Sequence, residues 1–438
     1  MNKTIKTKLS ARFWLALVIF GFMGQVAWTV ENMYFNVFIY KMFNASPSDI
    51  SLMVGASAVS ATLTTVFMGA LSDRIGKRKL LICSGYIIWG ISIFSFCFLR
   101  LELIEKFVGS TVQAVTLGIS LVIILDCVMT FFGSTANDAA FNAWVTDMTD
   151  STNRGAAEGI NSMMPMISVL AVFGGFMAFD LDKSESWVKI FAIIGICVIA
   201  AGILGLFIIE KDKNVPSQSG YLKNVIYGFL PSTISKNASL YIHLIIFIIF
   251  NISIQVFMPY LIIYYEETLK MKNYAFIMAP AVILAAVATF FWGKVYDKKG
   301  FDFSVRISAV SLILGYIILI GTKTMIPVFI GSLFMMCGFL CTGAMFGAKI
   351  RDLTPTGKAG MFQGVRIFSQ VLVPGIVGPF IGQCVLKDAE IIVKNDGTES
   401  FLPNANIFVA ALIVALVMVV FLYALNGFSK KDSKKCNF

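Results

Sequence analysis

The sequence predicts an all-α membrane protein of about twelve transmembrane helices in two pseudo-symmetric six-helix halves. Three observations carry that reading. Hydrophobic residues fill 58% of the 438 positions and charged residues only 14%, a balance that calls for lipid as the solvent of most of the surface. Windows of about 19 residues nearly free of charge recur along the chain, each long enough to cross ~30 Å of hydrocarbon as a helix. Two stretches of the first half also recur, in order, in the second.

The apolar windows place spans near 12–40, 48–71, 80–99, 113–146, 156–179, 187–209, 239–265, 274–296, 304–322, 325–348, 360–384 and 405–427. The first follows MNKTIKTKLSAR and has no small-residue cleavage site after it, so it reads as a retained span. Between spans 6 and 7 lies the longest polar connection. Its residues Tyr221, Leu222, Val225, Ile226, Phe229 and Leu230 recur at helical spacing, as an amphipathic helix on a membrane surface would. The expected organisation is therefore an N-terminal half (1–209), a cytoplasmic linker with an amphipathic helix (210–238) and a C-terminal half (239–438).

The net charge of +10 is topological rather than a nucleic-acid patch. An even number of spans puts both termini on one side. That side holds most of the Lys/Arg-rich segments: the N-terminal arm, Arg74 with Lys77 to Lys79, Lys211 to Lys236, Lys294 with Lys298 and Lys299, Lys349 to Lys358, and Lys430 to Lys435. The positive-inside rule then sets both termini in the cytoplasm of a multi-pass cell-membrane protein. The eight cysteines are scattered through the spans. Cys337 and Cys341 sit at helical spacing in an apolar run and read as packing. One histidine, no nucleotide-binding glycine loop and no paired metal motif leave no enzyme constellation and imply no cofactor and no metal.

The duplication is the most informative feature. After span 2 the chain reads GALSDRIGKRK, with Gly69, Asp73, Arg74 and Gly76; after span 8 it reads GKVYDKKGFD, with Gly293, Asp297, Lys298 and Gly300. FNAWVTDMT, with Phe141, Ala143, Asp147 and Thr149, matches FGAKIRDLT, with Phe346, Ala348, Asp352 and Thr354; Arg154 and Gly159 then answer Lys358 and Gly364. Gln25-Val26 against Gln255-Val256 is a weaker third pair. Parallel repeats of this kind accompany alternating access around a site at their interface.

GALSDRIGKRK resembles the signature loop of the major facilitator superfamily, and NAWVTDMTDSTNRG resembles the glycoside-pentoside-hexuronide cation symporters and related sugar carriers within it. The resemblance implies a secondary transporter, a monomer, moving a small polar solute such as a sugar by cation symport. The alternative is an exporter of drugs or other amphipathic compounds by proton antiport; span 5, GINSMMPMISVLAVFGG, lacks the glycine-proline pattern of such exporters. Melibiose-permease-like members carry aspartates in span 2, whereas residues 50–71 here offer only Ser57, Ser60, Thr62, Thr64 and Thr65. The expected coupling cation is accordingly a proton rather than sodium.

Ionisable groups within a bilayer are costly, so each is a functional candidate. Glu31, Asp126 and Asp138 qualify as proton-coupling or substrate groups. The resemblance implies that spans 1, 4, 7 and 10 line a central cavity, which would bring the acids of spans 1 and 4 toward each other. At ~100° per residue Gln25, Thr29, Asn32 and Asn36 form one stripe with Trp28 beside it, and Asp126, Thr130, Gly133 and Asn137 form another. Span 7 adds Asn251, Gln255 and Tyr265. Amides that donate and accept, with a ring to stack on, suit a neutral polyhydroxylated ligand; the same groups also serve as bonds between helices. His243 reads as interfacial, and Arg366 as either an anion partner or a side chain snorkelling outward. The resemblance finally assigns gating to the duplicated loops. There Asp73 would face the start of span 11 and Asp297 the start of span 5, with Arg74, Asp147, Arg154, Lys298 and Asp352 pairing nearby.

Overall fold

The computed structural model of the chain describes residues 9–150, 153–210, 226–271, 273–355, 359–393 and 398–435. Among the described residues eleven helices are long and apolar enough to cross a membrane: Ala11–Phe43, Pro47–Ile75, Arg78–Phe98, Thr111–Met148, Ala156–Phe176, Ser184–Ile208, Ala238–Thr268, Ala275–Gly321, Met325–Leu353, Gly364–Val385 and Asn406–Ala424. One of them holds two spans. Ala275–Gly321 has 47 residues, about 70 Å at ~1.5 Å per residue, more than twice the ~30 Å hydrocarbon thickness. It breaks at Gly300, whose φ of 78° and ψ of 178° are not helical. Residues 275–299 and 301–321 are therefore spans 8 and 9, and the total is twelve.

Local chemistry sets the ends of these helices. Ser46 caps span 2 in a reciprocal capping box with Asp49, and Pro47 opens its first turn. Gly76 ends it at φ 66°, and Gly300 ends span 8 at a positive φ as well. The duplicated glycines thus share a positive φ that a side chain disfavours, Gly76 in the left-handed region at ψ 12° and Gly300 at ψ 178°.

The chain divides into two compact units, Met1–Leu222 and Lys223–Phe438. In the first, span 1 packs along span 5, span 3 along span 6, and spans 2 and 3 against span 4. In the second, span 7 packs along spans 11 and 12, and the helix holding spans 8 and 9 packs on spans 10 and 12. Large side chains such as Leu63, Phe67, Phe207 and Phe290 point outward, while Glu31, Asn36, Asp126 and Thr130 are buried. An apolar exterior around polar interior groups is the arrangement lipid selects.

One expectation, the interfacial reading of His243, needs correction, and two further details stand beside the predicted helical plan. A short antiparallel pair, Ile391–Val393 with Glu399–Phe401, interrupts the otherwise helical fold between spans 11 and 12. The isoleucine-valine run there is too short for a helix and pairs as a strand instead. His243 is buried, not interfacial: its Nδ1 lies 2.7 Å from the Ser239 carbonyl oxygen and its ring packs on Phe301. Part of the proposed surface helix, Tyr221, Leu222 and Val225, falls outside the described residues. Of the remainder, Phe229 stacks edge-on to Phe368 of the span 11 region, so that face is partly covered by protein.

Four spans contain a π-helical turn: Val30–Tyr34, Ser134–Phe141, Tyr264–Thr268 and Phe368–Leu372. Such turns add a residue to the helix and rotate everything after it relative to a regular 3.6-residue period.

Candidate functional site

In the N-terminal unit the first π turn carries Glu31 and the fourth span carries Asp126. Counting ~1.5 Å per residue, Glu31 lies about 18 Å from the Phe43 end of span 1 and Asp126 about 22 Å from the Thr111 end of span 4. They share a depth, and the fold brings them together. Glu31 is 8% exposed and Asp126 1%. Thr130, which is one turn from Asp126, reaches the Glu31 carboxylate and ties the two places together.

Their surroundings are hydroxylic. Ser57 of span 2 donates to Glu31 Oε1 at 2.6 Å, and Thr130, one turn along span 4 from Asp126, reaches the same oxygen at 2.9 Å. The two hydroxyl oxygens are themselves 2.9 Å apart. Glu31 Oε2 and Asp126 Oδ1 are buried with no hydrogen-bond partner. Neither acid forms an ion pair among the described residues. Ser60, a turn further along span 2, bonds the Cys127 carbonyl at 3.0 Å and fixes spans 2 and 4 against each other.

Asp138 lies on the π-helical part of span 4. Ser134 donates to its Oδ2 at 3.1 Å, and the Trp28 indole lies near it without closing a hydrogen bond. Trp28 is half-buried and packs on Trp89 at 5.0 Å between ring centroids. This places an aromatic plate beside a carboxylate. Asn137, by contrast, is engaged in holding helices together. Its amide donates to the Tyr86 hydroxyl at 2.6 Å, and that hydroxyl donates to the Phe20 carbonyl at 2.7 Å.

The stripe drawn on span 1 does not hold. Asn32 is exposed, whereas Asn36 is fully buried, because the π turn at Val30–Tyr34 shifts the register between them. The Asn32 amide donates to the Trp28 carbonyl at 2.7 Å and Gln25 remains half-buried.

In the C-terminal unit Asn251 bonds its own helix at the Phe247 carbonyl, 2.8 Å away, and Gln255 lies against Gly378 of span 11. Tyr265 is fully buried, with its hydroxyl 2.7 Å from Ser332 of span 10. Span 7 continues through Thr268, past the expected end at residue 265, and so includes Glu266, a buried carboxylate that hydropathy windows left in a loop.

At the ends of spans 2 to 4 the organising residue is Arg78, buried to 6% exposure. It bonds Asp73 at 2.9 Å and pairs with Asp147 at the end of span 4. Arg74 is exposed, and the side chain of Arg154 lies outside the described residues. The second copy of the loop is built differently. Asp297, Lys298 and Asp352 are exposed, and the Tyr296 hydroxyl donates to Asp352 at 2.7 Å. Asp302 stands where the repeat would place the counterpart of Arg78, so the guanidinium bridge has no equivalent. Among the described residues no group of three or more His, Cys, Asp or Glu side chains is placed to hold a metal ion.

Curated relatives match part of the chain. "Sugar efflux transporter B" of Salmonella typhimurium is 23% identical over 209 residues, 48% of this chain and 49% of that protein. "Sugar efflux transporter A" of Dickeya chrysanthemi is 23% identical over 189 residues, 43% of this chain and 44% of that protein. The chain thus spans about half the length of the curated relatives it matches. Among solved structures, the nucleoside transporter NupG matches with a TM-score of 0.68 at 13% identity over 95% of this chain and 98% of its own. The xylose transporter XylE from E. coli, in a partially occluded inward-open conformation, matches at 0.67 and 14% identity over 95% and 99%. At these identities the likeness is one of fold. The model of the Major Facilitator Superfamily matches residues 13–379, most of both halves, and the chain belongs to that superfamily of membrane transporters.

Proposed function

We propose that the protein moves a small polar solute of the sugar or glycoside class across the cell membrane by alternating access, in symport with protons. The observation that carries this reading is the buried pair Glu31 and Asp126, set among hydroxyls with no basic partner among the described residues. A carboxylate so placed is costly unless it exchanges a charge during function. Trp28 on Trp89, beside Asp138, offers the flat apolar face on which a sugar ring stacks. Gln25, Asn32, Asn251 and Gln255 supply amides that can reorganise around hydroxyls. Spans 1 and 7, which hold these groups, each contain a π turn, a common feature of helices that rearrange in function.

Both termini and the basic loops are assigned to the cytoplasm by the positive-inside rule. On that side the resemblance assigns Asp73 and Asp297, in the two copies of the loop, to gating through helix N-termini. A charge at a helix N-terminus contributes about 0.3 to 1 kcal/mol, enough to bias a balanced equilibrium.

A second reading has its own support. The matched relatives are named for sugar efflux, which favours export by proton antiport on the same site. Uptake and release by reconstituted vesicles across a panel of glycosides, with internal pH recorded, separates the two. Symport alkalinises the medium during solute entry; antiport acidifies the side from which solute departs. Flux of no panel member with any proton movement would overturn both.

A further inference from the structure

The three oxygens around Glu31 pose a counting problem. Ser57 Oγ and Glu31 Oε1 are 2.6 Å apart, Thr130 Oγ1 and Glu31 Oε1 2.9 Å, and Ser57 Oγ and Thr130 Oγ1 2.9 Å. These are three contacts at hydrogen-bond distance closing a triangle. Each hydroxyl has one proton to give. Two protons cannot fill three contacts, and an edge without a proton sets two oxygen lone pairs against each other in a buried site. A third proton on Glu31 Oε1 completes the ring, each oxygen donating once and accepting once. A proton on Oε2 would not do so, because that oxygen has no partner.

We propose that Glu31 holds a transferable proton in this arrangement, and that Ser57 and Thr130 are the positioning residues that hold it there. The inference deepens the proton-coupled reading and rests on it for its consequence in transport. When the O–H bond breaks, its electron pair stays on the carboxylate and the proton passes to water reaching the site. The ring is then one proton short. Both hydroxyls then donate to the charged Oε1, so the edge left without a donor is Ser57–Thr130, and proton release tightens span 1 on its two neighbours while loosening span 2 against span 4. The titratable groups facing Glu31 are Asp126, Asp138 and the Cys127 thiol, all on span 4; span 2 contributes only hydroxyls. Loss of the proton therefore also sets Glu31 against Asp126 as like charges.

The test is infrared difference spectroscopy on the full chain in lipid at neutral pH, reading the carbonyl band of a protonated carboxylic acid. The wild type should show a band that Glu31→Gln removes, while any contribution of Asp126 or Asp138 persists in that variant. Ser57→Ala and Thr130→Val should each move the band, and Ser57→Thr and Thr130→Ser, which keep the hydroxyl, should return it to the wild-type position. A wild-type spectrum without the band, or one that Glu31→Gln leaves intact, overturns the proposal. Where Glu31→Gln does not fold, the hydroxyl series decides, and a band indifferent to loss of both hydroxyls overturns it equally. If the band behaves as stated but solute flux ignores pH, the proton site stands and the proton-coupled reading fails.

Discussion

The two halves repeat one helical plan and fill it with opposite chemistry. In the N-terminal half the buried polar groups include two acids, Glu31 and Asp126 in a hydroxyl pocket, with Asp138 nearby. The C-terminal half buries neutral pairs in its core, Tyr265 with Ser332, Ser253 with Tyr316, and Thr342 with Ser308. Among its described residues Glu266 is the only buried carboxylate. The loops differ in the same direction. Arg78 ties Asp73 to Asp147 in the first copy, while in the second a tyrosine hydroxyl serves Asp352. The backbone positions that the repeat needs, Gly76 and Gly300, are retained in both. Duplication therefore preserved what folds the chain, and the two sets of interior side chains diverged: one half buries a pair of acids and the other mostly neutral hydroxyl pairs.

Substitutions at paired places in the two halves should separate most widely in transport. Glu31→Gln and Asp126→Asn should abolish accumulation driven by a pH gradient. Tyr265→Phe, which removes one neutral hydrogen bond of about 0.5 to 1.5 kcal/mol, should lower it by less than about tenfold. Vesicle uptake under an imposed gradient reads both. A Tyr265 variant as impaired as the Glu31 variant would erase the distinction between a half that titrates and a half that does not.

The next effect is on stability. Arg78 is buried, but its partners Asp73 and Asp147 keep side-chain exposures of 56% and 24%, so solvent screens part of each ion pair. Arg78→Ala should cost about 1 to 3 kcal/mol, whereas Asp302→Ala at the matching place should stay within about 0.5 kcal/mol. Thermal unfolding in detergent distinguishes them. Equal shifts would mean that the loop pairs contribute nothing specific to the first half.

Gly76→Ala and Gly300→Ala mark the smallest contrast. Both glycines hold positive φ, a conformation that costs a residue with a Cβ about 1 to 3 kcal/mol. The two substitutions should lower the melting temperature by comparable amounts. A loss confined to one copy would show that the shared backbone role is not shared in energy.

Much of the fold was legible because hydropathy and repetition are one-dimensional signals. Twelve windows free of charge and two copies of a Gly-Asp-basic-Gly loop need no knowledge of which helix touches which. The buried acids were legible for the same reason, as charges where charge is costly. Their partners were not. Ser57 is one of several hydroxyl residues on span 2, and only packing of span 2 against spans 1 and 4 singles it out. Arg78 lay in view within the basic run, yet its burial depends on where span 4 ends. The amide stripe on span 1 failed because a π turn has no plain sequence mark, and Glu266 was lost because a carboxylate pair looks like a helix end. Asn137 had the composition of a ligand group, but its neighbours Tyr86 and Phe20, far away in sequence, bind it into the helix contacts.

The most direct test of a titrating half beside a fixed one is to count protons. Purified protein in lightly buffered detergent, titrated with a transported glycoside, should change the proton content of the solution stoichiometrically. The change should vanish in the Glu31→Gln, Asp126→Asn double variant and persist in Tyr265→Phe. Proton exchange that survives the double variant, or that disappears with Tyr265, would contradict the account.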